Sequence, residues 1–187
     1  MNLKLALCAA LLVCTGCAST NPAPTSVHLT PEQSIALPRM ELTTPLSQEQ
    51  LLTIHYQGRQ EKVLVILEGQ GTSLQLAVLS PLGIRLVDAN YQDGTVTVTT
   101  HVPIAQLPPA AQVLFDIFLG LLPQENIAAV LPSGFSLVDN GALRTIKDPN
   151  GQVIEQVHFT PTTGNATRYA TRVEHKIFGY VIEITTL

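Results

Sequence analysis

The chain has 187 residues, of which 45% are hydrophobic and only 13% charged, with a formal net charge of −4. Its 10 Lys and Arg residues are scattered and it has no Trp, which excludes the basic stripe that nucleic-acid binding requires. The 3 cysteines, Cys8, Cys14 and Cys17, all lie near the start, so the rest of the chain has no thiol for a disulfide, a redox pair or a Cys-based zinc site.

Lys4 is the one charge ahead of an apolar run from Leu5 to Val13. That run suits a signal-peptide core and falls short of the roughly 20 apolar residues that span a bilayer as a helix. It ends at Cys14-Thr15-Gly16-Cys17, which resembles the lipobox of bacterial lipoproteins, although that pattern usually has Leu where Cys14 stands. The resemblance implies a signal peptide over 1–16 and a lipid anchor on Cys17, with diacylglycerol and palmitate-type acyl chains on the new N-terminus. Ala18 is not the Asp associated with inner-membrane retention in enteric bacteria, so the expected location is the periplasmic face of the outer membrane. Loss of Lys4 takes the charge from −4 to −5. An ordinary signal peptide cut nearby, with Cys17 incidental, is the alternative.

Residues 17–45 contain Pro22, Pro24, Pro31, Pro38 and Pro45 and sustain no period of 2 or 3.6. They read as a lipidated flexible tether with a reach of roughly 30 Å. Whether Ile35 to Leu42 docks as an edge segment is left open.

From residue 46 the pattern is strand, turn, strand: Leu52–Tyr56, Lys62–Leu67, Leu74–Leu79, Ile84–Asp88 and Thr95–Thr99, separated by Gly- or Pro-bearing turns. This spacing predicts an antiparallel meander. Val63 to Leu67 is apolar at every position, which predicts cover on both faces.

Ala110 to Leu122 then reads as a helix, with Pro108 and Pro109 at its start. Its polar residues, Gln112 and Asp116, are i, i+4 neighbours on one narrow face, and a helix so apolar must be almost wholly buried. Pro123 ends it, and Gln124 to Leu131 predicts a second short helix. Strands resume at Phe135–Val138, Leu143–Lys147, Val153–Phe159, Ala170–Lys176 and Gly179–Thr185, with Asp148-Pro149-Asn150-Gly151 as a hairpin turn. The order predicts an α+β, mainly β domain over 46–187, one antiparallel sheet curled around an inserted apolar helix pair.

Leu79-Ser80-Pro81-Leu82-Gly83, Leu119-Gly120-Leu121-Leu122-Pro123, and Arg172-Val173-Glu174 before Gly179–Ile184 occur in an order that resembles the LolA and LolB lipoprotein carriers. The likeness covers most of the chain from residue 50. It is closest to a family of lipoproteins often encoded with aryl polyene or fatty-acid-type synthesis genes. The resemblance implies a half-open β-barrel whose concave apolar face is covered by a helical lid and receives acyl chains. It also implies that Leu82, in the Pro81-Leu82-Gly83 turn, contacts the membrane; the competing reading folds Leu82 onto the core. A periplasmic LolA-like chaperone becomes an expected partner.

No histidine pair has ligand spacing, and no nucleophile elbow or phosphate loop is present. His158 and His175 are candidate cross-strand neighbours, and Glu61, Glu68, Glu155 and Glu174 fit solvated strand positions. No cofactor, metal or enzyme chemistry is expected. What stands out is apolar surplus: Val63, Val65, Leu67, Leu74, Leu76 and Val78 on strands, and Leu114, Ile117, Phe118 and Leu121 on the helix, as the expected lining of an acyl cavity. With no Trp and few Phe and Tyr, less bulk is available to fill a barrel. The expectation is a monomeric, outer-membrane-anchored carrier or acceptor of lipid or acyl-bearing cargo; the alternative is a non-carrier adaptor or structural lipoprotein of a synthesis or export complex.

Overall fold

The computed structural model describes residues 20–22, 25–102, 108–160 and 168–187. The expected signal peptide and Cys17 lie outside the described residues.

All ten strands expected from the sequence form. The first meander comprises β4 (Leu42–Tyr56), β5 (Arg59–Gly71), β6 (Ser73–Leu79), β7 (Arg85–Gln92) and β8 (Thr95–Thr100). Two helices follow, α1 (Ala110–Leu121) and α2 (Gln124–Ala128). The second meander comprises β9 (Ser136–Asp139), β10 (Leu143–Lys147), β11 (Val153–Phe159), β12 (Ala170–His175) and β13 (Tyr180–Thr186). The meanders join where β13 pairs antiparallel with β4, Ile182 opposite Ile54. With β1 (Thr20–Pro22) added beside β8, the result is an 11-stranded antiparallel sheet running from β1 to β9. No pairing closes it into a barrel among the described residues.

This topology decides where α1 goes. Strands β8 and β9 are near opposite ends of the sheet, so the chain between them must cross its face. An apolar helix is the segment able to do so, because its backbone groups are bonded internally and its side chains can be buried all round. Leu114, Phe115, Phe118 and Leu119 are fully buried. Gly120 allows a close approach to β12, where an added Cβ would stand 3.1 Å from the Cβ of Ala170.

Three expectations change. Residues 25–40 are not a free tether: β2 (Ser26–His28) and β3 (Ser34–Ala36) form a hairpin packed on α1. Val27, Leu29, Ile35, Leu37 and Met40 are buried in the main core. Burying five such side chains outweighs the flexibility that Pro and Thr give the segment, each contributing about 1.5–3 kcal/mol. Val63 to Leu67 is covered fully on one face only, since Leu64 and Ile66 are half-buried while Val63, Val65 and Leu67 are buried. The helix pair is not confirmed as a lid: α2 buries only Ile127 and lies against β9, while α1 is enclosed between the sheet and the β2–β3 hairpin.

Candidate functional site

Between α1 and the first meander is a cavity of about 440 Å³. Period-2 alternation supplies its floor, because Val63, Val65 and Leu67 on β5 and Leu76 and Val78 on β6 point to one face in register. Leu52 and Ile54 on β4 and Ile182 and Ile184 on β13 continue that floor across the join between meanders. Val113, Ile117, Gly120 and Leu121, spaced three and four apart on α1, form the opposite wall.

A bulge in β4 shapes the mouth. Leu42 pairs with Gly71 and Leu46 with Gly69, so four residue steps on β4 match two on β5. The extra residues include Thr44 and Pro45, exposed and part of the lining, together with Tyr169 at the start of β12's approach. Pro45 has no amide hydrogen to donate to a ladder, so it suits a bulge and unsettles a regular strand.

Of the residues expected to line a cavity, Val63, Val65, Leu67, Leu76, Val78, Ile117 and Leu121 do so. Leu74, Leu114 and Phe118 do not: they are fully buried in packed core. Phe118 meets Tyr91 edge-on with ring centroids 5.1 Å apart. The Tyr91 hydroxyl donates to the Pro38 carbonyl at 3.2 Å and accepts the Met40 amide at 3.4 Å, tying the N-terminal segment to this side of α1.

Polar groups cluster on the inner face of the second meander. Asp116, only 4% exposed, lines the cavity and lies 2.9 Å and 3.0 Å from the hydroxyl of Tyr180, which donates to it. The Gln112 amide donates to the same hydroxyl oxygen at 3.3 Å. The narrow polar face of the helix is therefore directed at β13, not at solvent. Glu155 on β11 adjoins Asp116 and is fully buried, which corrects its assignment to a solvated position. Burial pushes the Asp116 carboxyl up to about 7. Burial first, and the nearby Asp116 charge second, hold Glu155 well above the usual carboxylate range.

His175 pairs across the strands with Glu155, not with His158, which sits opposite Arg172. Its ring stacks on Phe178 at 4.5 Å, and burial pulls its pKa down to about 4. Nearby, Arg144 is buried and donates to the carbonyls of Leu119 and Leu122 at 2.7 Å and 2.8 Å, satisfying the C-terminal end of α1. Its charge is balanced by Asp139 at 2.8 Å, which Arg168 also contacts at 2.5 Å. Hydrogen bonding by Arg168 and Arg144 holds the Asp139 carboxyl well below the usual range.

The Pro81-Leu82-Gly83 turn projects between β6 and β7. Gly83 adopts φ +79° and its amide donates to the Ser80 carbonyl at 2.9 Å, closing a turn on which Leu82 faces solvent. Leu82 is 88% exposed and its neighbour Ile84 54% exposed. No helix among the described residues is long and apolar enough to cross a membrane. No cluster of three His, Cys, Asp or Glu side chains able to hold a metal occurs among them either.

The buried acids were the least legible part of the site. Their one signal in the sequence is a pair of polar residues, Gln112 and Asp116, in a helix otherwise apolar. No match to a curated protein is found. The family described as "Protein of unknown function (DUF3261)" matches residues 47–187, from within β4 to the C-terminus and beyond the β2–β3 hairpin, and the chain belongs to that family.

Proposed function

We propose that this protein is a lipid-anchored carrier or acceptor of acyl-type cargo, which it shelters in the cavity between α1 and the sheet. The observation that carries the reading is the void itself: about 440 Å³ lined mainly by Val, Leu and Ile, within the range of small-molecule sites. Each methylene moved from water into such a space contributes about 0.8 kcal/mol, so a chain needs no charged contact to be held. An open antiparallel sheet with a helix across its face accords with the LolA/LolB-like half-barrel resemblance.

In this reading the lipid on Cys17 keeps the domain at the periplasmic face of the outer membrane, and Leu82 enters the bilayer interface. Cargo passes through the mouth at Thr44, Pro45 and Tyr169. A lifting lid is disfavoured, because Arg144, Tyr180 and the β2–β3 hairpin all hold α1 in place. Acyl chains of membrane lipid or of lipoproteins are the proposed cargo, with a LolA-like chaperone as a donor, and the protein works as a monomer without a chemical step. The adaptor reading draws on one observation, the half-exposed Val138 on the edge strand β9.

Native mass spectrometry of the purified protein tests the carrier reading. Co-purifying lipid, or saturable binding of a fluorescent fatty acid, is expected. Absence of both, together with a partner protein retained through washing, would favour the adaptor instead.

A further inference from the structure

The cavity wall is mostly hydrocarbon, and its polar residues differ in burial. Among the described lining residues that are buried, including Leu52, Val65, Leu67, Leu76 and Val173, Asp116 alone is polar. Thr44 and Thr100, by contrast, are lining residues exposed to solvent, and Gln48, Gln50 and Arg168 are lining residues only half-buried. Asp116 is therefore the polar group that an occupant meets at the fully buried part of the wall.

The geometry around Asp116 makes it an acceptor. Tyr180 donates to it from β13, Gln112 on α1 donates to that same Tyr180 hydroxyl, and the Glu155 carboxyl on β11 adjoins it with no hydrogen-bond partner of its own. His175 on β12 lies beyond, its Nε2 4.0 Å from Glu155. A carboxyl keeps acceptor capacity beyond one donor, so the single Tyr180 hydroxyl leaves some free on the side where Asp116 forms the wall. A plain hydrocarbon chain laid against that position leaves an acceptor unmet and dry, whereas a hydroxyl on the chain satisfies it. Sites that hydrogen-bond a ligand hydroxyl reject the analogue lacking it far more strongly than apolar pockets sort by methylene count.

We propose that the occupant is an elongated apolar molecule bearing a hydroxyl on its chain, and that Asp116 is the specificity-determining residue that receives this hydroxyl. The inference rests on the cavity being a binding site, as proposed above. If Asp116 served only to anchor α1 through Tyr180, the cavity would have no preference between a chain and its hydroxylated form.

The test is displacement of the fluorescent probe N-phenylnaphthylamine from the full-length protein by dodecanoic acid and by its α-, β- and ω-hydroxy derivatives. At least one hydroxy acid is expected to displace the probe at a concentration about tenfold or more below that of the plain acid, the scale of leaving one buried polar group without its hydrogen bond. Asp116→Leu combined with Tyr180→Phe removes both polar partners together and should bind the plain acid more tightly, with the preference reduced to within about twofold. Asp116→Asn, which keeps the size and an acceptor oxygen for Tyr180, guards against a folding failure and should narrow the preference. Equal displacement by all four acids in the native chain overturns the inference while leaving the cavity reading intact. An undiminished preference in the variants overturns it too. Failure of every acid to displace bound probe overturns the cavity reading with it.

Discussion

The hydroxyl of Tyr180 lies 2.9 Å and 3.0 Å from the two carboxylate oxygens of Asp116, joining the last strand of the sheet to the middle of α1. Both residues are buried, and Asp116 also forms part of the cavity wall. One contact therefore sets the helix on the sheet and places an acid where a ligand would meet it. Tyr180→Phe removes the donor while keeping the ring. It should destabilise the fold by about 1–3 kcal/mol, the penalty for stranding a buried acceptor; urea denaturation measures it, and an unchanged midpoint would contradict the anchoring role.

Stability should fall as pH rises through neutrality. Asp116 is shifted from 3.8 up to about 7, and Glu155 is raised well above 4.5, so the folded chain holds carboxyl protons that the unfolded chain releases. Their contribution is full below the unfolded values and is lost as pH rises through the folded ones. His175 acts oppositely: lowered from 6.5 to about 4, it makes stability rise with pH across that interval and adds no slope above it. Melting temperature should therefore decline from pH 6.5 to about pH 8, and the decline should be shallower in Asp116→Asn. A melting temperature that climbs over this range refutes the assignment.

Arg144 holds the end of α1. Its guanidinium reaches the Leu119 and Leu122 carbonyls and the Asp139 carboxylate together. Arg144→Met fills similar space but leaves these acceptors unmet, and should cost about 2–4 kcal/mol. Arg144→Lys should recover only part of this, because one ammonium cannot match the planar fork. Equal stability of Lys and Met variants would show that packing, not hydrogen bonding, accounts for the loss.

The N-terminal hairpin should prove structural. Leu29 is fully buried in the main core, so Leu29→Ala should cost about 2–5 kcal/mol. A flexible tether would register almost nothing. Hydrogen exchange offers a second readout, with the Leu37 amide protected by its bond to the Thr25 carbonyl at 3.0 Å.

Leu82→Glu should leave stability within about 0.5 kcal/mol, since the side chain is exposed. If the turn enters a bilayer, the variant should bind vesicles roughly tenfold or more weakly, the scale of one Leu side chain withdrawn from the interface. Unaltered vesicle binding would remove Leu82 from the proposed mechanism.

Much of the fold was legible because its signals are local. Val96 and Val98 alternate with threonines on β8, Asp148-Pro149-Asn150-Gly151 makes a hairpin turn whose Gly151 takes φ +83°, and Pro123 stops α1. The β2–β3 hairpin was harder to see. Val27 and Leu29, and Ile35 and Leu37, do alternate, but over runs too short to stand out among Pro, Ser and Thr. Glu155 was illegible in another way: it occupies an inward strand position, and nothing adjacent to it in the chain reveals that Asp116 and His175 surround it.

Residue order alone dictated the ten strands, the apolar helix and the alternation that makes one sheet face hydrophobic, because each depends on neighbours within a few positions. Three other features came only with folding. The pairing of β13 with β4 joined the two meanders, the path from β8 to β9 carried α1 across the sheet, and residues 112, 116, 155 and 180 met as one polar cluster. The cavity belongs with these. A void is set by the separation between two apolar surfaces, and alternation specifies which side chains face inward without specifying how far apart their backbones stand.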